Sequence, residues 1–105
     1  MYRIDDFKQY NRLEKIVITQ HSRKRFEERE IGIDDVRKAI DSGEIIEQYE
    51  DDFPFPSCLI LGKSGSRMIH VVASLDEECI YVITSYIPDP LKWEDDWKTR
   101  KEESK

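Results

Sequence analysis

The sequence predicts an α+β domain: a mostly antiparallel four-stranded sheet, a packed helical hairpin, and a further helix towards each terminus. Three observations predict it. As far as Gly43, apolar residues recur mainly at intervals near one helical turn. After Gly43 the apolar period shortens to that of strands. The links between the last three apolar runs are too short for a crossover, so those runs form an antiparallel meander. With 105 residues the chain has room for one core and no second, and residues 1–105 are read as a single domain. Hydrophobic residues make up 38% and charged residues another 38%, with both signs interspersed, which predicts a folded rather than a disordered chain.

The elements follow in order. Ile4, Phe7, Tyr10 and Leu13 recur near one turn, predicting an N-terminal helix over 4–13. Lys15-Ile16-Val17-Ile18-Thr19 is short and β-branched, a strand. Helical patterning resumes at Gln20 and runs to about Arg29, where Gly32 is expected to end it in the left-handed conformation. Asp34 then reads as the N-cap of a helix with the apolar stripe Val36, Ala39 and Ile40, closed by Ser42-Gly43. Two helices so closely joined make a helical hairpin.

Four strands are expected next: Glu44 to Tyr49, Ser57 to Lys63, Arg67 to Leu75 and Cys79 to Ile87. The proline-rich stretch from Asp51 to Pro56 separates the first two, because it cannot pair as a central strand. Asp89 and Pro90 have the chemistry of an N-cap and first helical position. They predict a helix over 90–98 docked by Leu91, Trp93 and Trp97, with fraying charged residues beyond.

Composition narrows function. No apolar run approaches the ~20 residues of a bilayer span. The start, Met1 to Asp6, lacks the pattern of a signal peptide, so a cytoplasmic protein without membrane partners is expected. Cys58 and Cys79 each sit in an apolar stretch without C-x-x-C spacing and read as reduced, buried thiols. Together with His21 and His70 they match no zinc spacing. Phosphate-loop and nucleophile-elbow motifs are missing as well, so neither a metal nor a cofactor is expected. A net charge of −6 excludes coating nucleic acid by charge alone. It leaves room for a local basic site, and Arg23, Lys24, Arg25 and Arg29 provide the most basic stretch.

Alternation places His70 on one face with Met68, Val72 and Ser74. A three-residue turn pairing Leu75 with Cys79 sets His70 opposite Thr84 and Met68 opposite Tyr86. A two-residue turn sets His70 opposite Ser85. The three-residue turn is preferred, because it gives the central strand one face of Ile69, Val71, Ala73 and Leu75 to match Tyr81, Ile83 and Ile87, which leaves His70, Thr84 and Tyr86 together on a mixed face. His21, Arg25 and Arg29 form an i, i+4, i+8 row on their helix. If the helical hairpin packs on the His70 face, two imidazoles, two guanidiniums, a hydroxyl and a phenol meet. Metal-independent RNA cleavage uses such parts: acid and base near neutrality, and cations for the charge on phosphorus. Each residue also has a structural reading. His21 can bond the helix N-terminus, His70 can be a satisfied core histidine, the arginines can pair with nearby acids, and Trp93 and Trp97 can dock a helix.

The run from Ile18 to Arg29 with Ile31-Gly32-Ile33-Asp34-Asp35-Val36, then Gly43 to Tyr49, His70-Val71-Val72 and Ile83-Thr84-Ser85-Tyr86, resembles a bacterial family known as domain of unknown function 4258. The resemblance covers most of residues 16–88. The order of elements is also similar to that of the RelE/ParE and BrnT toxins and their barnase-like relatives. The resemblance implies a ribonuclease-type or toxin-related domain acting on RNA, with an antitoxin-like partner. On the family pattern the matching positions are His21, Arg25, Arg29, His70, Thr84 and Tyr86. The leading expectation is therefore a metal-independent RNase-like domain. In it His70 and His21 act as acid and base, Arg25 and Arg29 bind phosphate, and Thr84 and Tyr86 orient the substrate. The alternative is a non-catalytic interaction module that keeps a toxin-like fold.

Overall fold

A computed structural model describes residues 1–102 of the chain, apart from the side chain of His21. Three helices, α1 (Ile4–Lys8), α2 (Gln20–Glu28) and α3 (Ile33–Asp41), join five strands, β1 (Ile16–Ile18), β2 (Glu44–Tyr49), β3 (Ser57–Ser64), β4 (Arg67–Asp76) and β5 (Cys79–Tyr86). The fold is α+β, and the sheet is mixed and five-stranded, in the order β1-β5-β4-β3-β2. The expected four-stranded sheet gains β1, which lies parallel to β5 with Ile16 opposite Ile80 and Ile18 opposite Val82. That pairing joins segments some sixty residues apart across the helical hairpin, and nothing in either local pattern encodes it.

The helical boundaries also shift. Only Ile4–Lys8 of the expected 4–13 helix is α-helical; a short 3-10 turn follows over Leu13–Lys15. Thr19 caps α2, its hydroxyl oxygen accepting from the Ser22 amide at 3.2 Å. At the other end Glu30, not Gly32, takes the left-handed conformation (φ 56°). The Ile31 and Glu30 amides then bond the Phe26 and Glu27 carbonyls in a Schellman arrangement. Gly32 instead precedes α3 as its N-cap, in place of Asp34. Its amide donates to the Asp35 carboxylate at 2.8 Å, so an acid three residues on does the capping.

Phe26, Val36, Ala39 and Ile40 pack on Cys58, Ile60, Ile69, Val71, Ala73, Ile80 and Val82, forming the core on one sheet face. The approach of α3 is close because β3 carries Gly62, where an added Cβ would lie 1.9 Å from the Ala39 carbonyl oxygen.

The helical hairpin therefore covers the face opposite His70. Alternation along β4 sends Ile69, Val71 and Ala73 towards the helices and His70 away from them. The His70 face is covered instead by residues 89–100. The expected helix over 90–98 is absent: this stretch is a run of turns closed by a bridge between Trp93 and Arg100. A turn follows at Asp96, whose carboxylate accepts from the Lys98 and Thr99 amides. Asx turns of this kind compete with helix. Residues 103–105, part of the stretch expected to fray, lie outside the described residues.

Candidate functional site around His70

The β4–β5 turn is the two-residue one, not the preferred three-residue one, and at His70 the register matches neither expectation; the apolar face of β5 is Ile80 and Val82 rather than Tyr81, Ile83 and Ile87. The turn itself has two residues, Asp76 lying opposite Cys79. A bulge then leaves Ile83 unpaired between Val72↔Thr84 and Ala73↔Val82, so His70 faces Tyr86 rather than Thr84 or Ser85. The bulge adds a second one-residue shift, which returns Thr84 and Tyr86 to the His70 face but leaves the register two residues from the preferred one; only the turn has a sequence signature.

Beyond Ile18 the strand β1 no longer covers β5, and side chains of α2 take over. The Ser22 hydroxyl donates to the Ile83 carbonyl at 2.8 Å, and Arg29 Nη1 donates to the Ser85 carbonyl at 2.8 Å and to Thr84 Oγ1 at 3.2 Å. Arg29, Thr84 and Tyr86 do come together, with Arg29 tied to the backbone of the strand that carries the other two. Arg25 is exposed and lies outside this cluster. His21 sits at the N-terminal end of α2, eight residues and so ~12 Å along the axis from Arg29. Its side chain is outside the described residues.

His70 is fully buried (0% exposed). Its Nε2 lies 2.6 Å from the Trp97 carbonyl oxygen and its Nδ1 3.3 Å from the Tyr86 hydroxyl. A carbonyl only accepts, so Nε2 carries the proton and Nδ1 accepts from Tyr86. The Trp93 ring packs edge-on against the imidazole at 4.5 Å, and the Tyr86 ring at 5.2 Å. Burial holds the imidazole below its ordinary pKa, partly offset by the bond to Trp97 and the charge of Glu47. Burial likewise raises the Tyr86 phenol. A neutral imidazole with both nitrogens bonded and no access to water has the properties of a structural pin.

The cover is fastened by residues that sequence reasoning missed. Arg100 makes two bonds to the Glu47 carboxylate, at 2.8 and 2.9 Å, and its guanidinium stacks 4.6 Å from the centre of the Trp93 ring. Tyr49 also donates to Glu47. The Arg100 bonds hold the Glu47 carboxyl below its usual range, whereas burial and Glu47 push the Tyr49 phenol up to about 12. Lys98 reaches Glu44 at 3.1 Å. The spacing of Glu47 and Tyr49 on one strand face was legible; their partner, in a charged terminal run, was not.

Beside this cover lies an open pocket of about 390 Å³ lined by Arg29, Tyr86, Asp89, Lys92, Trp93 and Arg100, among others. A second, larger groove of about 480 Å³ lies where the Phe53-Pro54-Phe55 loop meets Tyr81, Val82 and Ile83. Among the described residues no three His, Cys, Asp or Glu side chains converge as a metal site requires. No described helix is long and apolar enough to cross a membrane.

Residues 18–87 fit the family model described as domain of unknown function (DUF4258). No curated protein matches the chain, and no solved structure does. The match begins in β1 and ends one residue after β5, taking in Arg29, His70, Thr84 and Tyr86 but not the segment that covers them. Spanning two thirds of the sequence, it places the chain in this family of domains of unknown function.

Proposed function

We propose that the domain is a non-catalytic protein-interaction module, and that its groove takes a basic, apolar-bearing segment of a partner protein. The observation that carries this reading is the exposure of Phe53, 95% accessible at the rim of the apolar groove, with Phe55 and Ile83 each nearly half exposed. Large apolar groups gathered at a concave surface favour a partner over water. Asp52 lines the groove and the exposed Glu50 and Asp51 adjoin it, on a chain of net charge −6, which favours a basic segment over an acidic one. The closure of His70 supports the same reading, because its imidazole serves packing. A cognate antitoxin-like protein is the partner class that the toxin resemblance adds.

The test is a fluorescence-polarisation panel of short labelled peptides that vary independently in basic and apolar content. Basic apolar peptides should bind, and Phe53→Ala with Ile83→Ser should weaken them about tenfold or more while the melting temperature holds. Equal binding of acidic peptides, or indifference to the double substitution, defeats the reading.

A second reading has its own support: Arg29 and Tyr86 line one pocket and Arg29 bonds Thr84, as a metal-independent RNase-like domain of RelE/ParE type would need. On this reading the 89–100 segment lifts to admit RNA, Arg29 holds phosphate, and His70 exchanges protons once exposed. Its test is cleavage of a mixed RNA pool in chelator. Cleavage by the wild type and loss with His70→Ala supports it; no cleavage, or equal cleavage by both, removes it.

A further inference from the structure

The pocket beside Trp93 differs in chemistry from the rest of this acidic chain. Three cations, Arg29, Lys92 and Arg100, line it together with the aromatic rings of Tyr86 and Trp93. Glu47 already pairs with Arg100, and Asp89, which lines the pocket, keeps its charge while accepting from the Leu91 amide at 2.9 Å, so Arg29 and Lys92 stand as two cations against one acid. Arg29 spends Nη1 on the β5 backbone and Lys92 is exposed, and neither forms an ion pair among the described residues. The cations come from separate places, the end of α2 and two points of the 89–100 segment, so no helical or strand periodicity groups them. Two are held by bonds that fix them before any ligand arrives, which lowers the ordering cost of binding.

We propose that this pocket binds a phosphate-bearing nucleotide, its phosphate held by Arg29 and Lys92 and its base lying against Tyr86 and Ile87. Guanidinium and ammonium groups supply the charge-assisted bonds that a phosphate needs. Half-buried Tyr86 and exposed Ile87 supply an apolar surface for a base, while Trp93, buried under Arg100, forms the floor behind them. A volume of about 390 Å³ falls within the range of small-ligand sites. The site joins the family-matched region, which supplies Arg29 and Tyr86, to the segment beyond it, which supplies Lys92, Trp93 and Arg100. The inference does not depend on the peptide groove, which is lined by different residues.

The experiment is a titration of the full chain with 5′-AMP, inorganic phosphate and adenosine, read by tryptophan fluorescence and by the indole N–H resonance of Trp93. The nucleotide should bind at least about tenfold more tightly than either fragment. Lys92→Glu, on an exposed side chain, should weaken it about tenfold or more without moving the melting temperature. Raising salt should weaken binding further. Arg29→Lys retains the charge but not the fork that grips Ser85 and Thr84, and it should weaken the nucleotide severalfold. Three results would overturn the assignment: no response to 5′-AMP at about 5 mM, adenosine or phosphate binding as well as the nucleotide, or full affinity in Lys92→Glu.

Discussion

His70 shows how one residue type in one strand pattern supports two opposite readings. Alternation determines which face the imidazole is on, but what covers that face comes from a segment some twenty residues later. With both nitrogens bonded, replacement by alanine removes a packed ring and leaves the Trp97 carbonyl without its donor. His70→Ala should cost about 2–4 kcal/mol in chemical denaturation. The imidazole's pKa is depressed in the fold, so the unfolded chain binds its proton more readily. Stability is therefore full above pH 6.5 and falls as pH drops from there towards the lower folded value. A second loss sets in below about 4.5, as Glu47, whose folded value is also depressed, takes up its proton and releases Arg100. Denaturation midpoints measured across this range should show the upper step in wild type and not in His70→Ala. Cys58, fully buried, has its thiol pushed up to about 12 by desolvation. Alkylation followed by mass spectrometry should leave it unmodified until the protein unfolds.

At the scale of elements, the sequence was most legible where an element is long and regular. The cores of α2 and α3 and the four strands after Gly43 lie where periodicity placed them. The errors fall where a competing interaction decides. Glu30 ends α2 because the Schellman bonds compensate a left-handed non-glycine residue, and this frees Gly32 to cap α3 with Asp35. Asp89 and Pro90 promised a helix, but Asp96 and Thr99 bond one another locally and the chain turns back to pair Trp93 with Arg100. The contact of α3 with β3 depends on Gly62, whose added Cβ would have backbone atoms of Ala39 as its nearest neighbours. Backbone of a packed helix cannot retreat as a side-chain tip can. Gly62→Ala should therefore destabilise by about 3 kcal/mol or more, measured as a shift in denaturation midpoint. A loss below ~1 kcal/mol would mean that α3 is not seated as described.

For the whole molecule, the sheet is a partition with helices on one side and the 89–100 segment on the other. Of the six expected site residues, Arg29, Thr84, His70 and Tyr86 form one contiguous set across β4, β5 and the end of α2. Arg25 stands apart from it. The shared face of His70, Thr84 and Tyr86 was legible from alternation, whereas Arg29 joins them through Thr84 and Ser85 although the hairpin packs on the opposite face. The closure of the site was not legible, because it rests on Trp93, a carbonyl at Trp97 and the Glu47–Arg100 pair, long-range contacts with no local pattern. Removing residues 88–105 should bare His70, destabilise the domain and raise the histidine's titration midpoint towards 6.5. Arg100→Ala, which removes the bidentate pair with half-buried Glu47 and one stacking contact, should cost about 1–2 kcal/mol in thermal denaturation.

The most direct test of this account is a pH titration of the His70 ring nitrogens by long-range proton–nitrogen NMR on the full chain. A pinned imidazole should show the Nε2-protonated tautomer through neutrality and a midpoint below 6.5. A midpoint at or above 6.5, or a proton on Nδ1, would mean that the bond to Trp97 does not hold and that His70 is open to water and to chemistry.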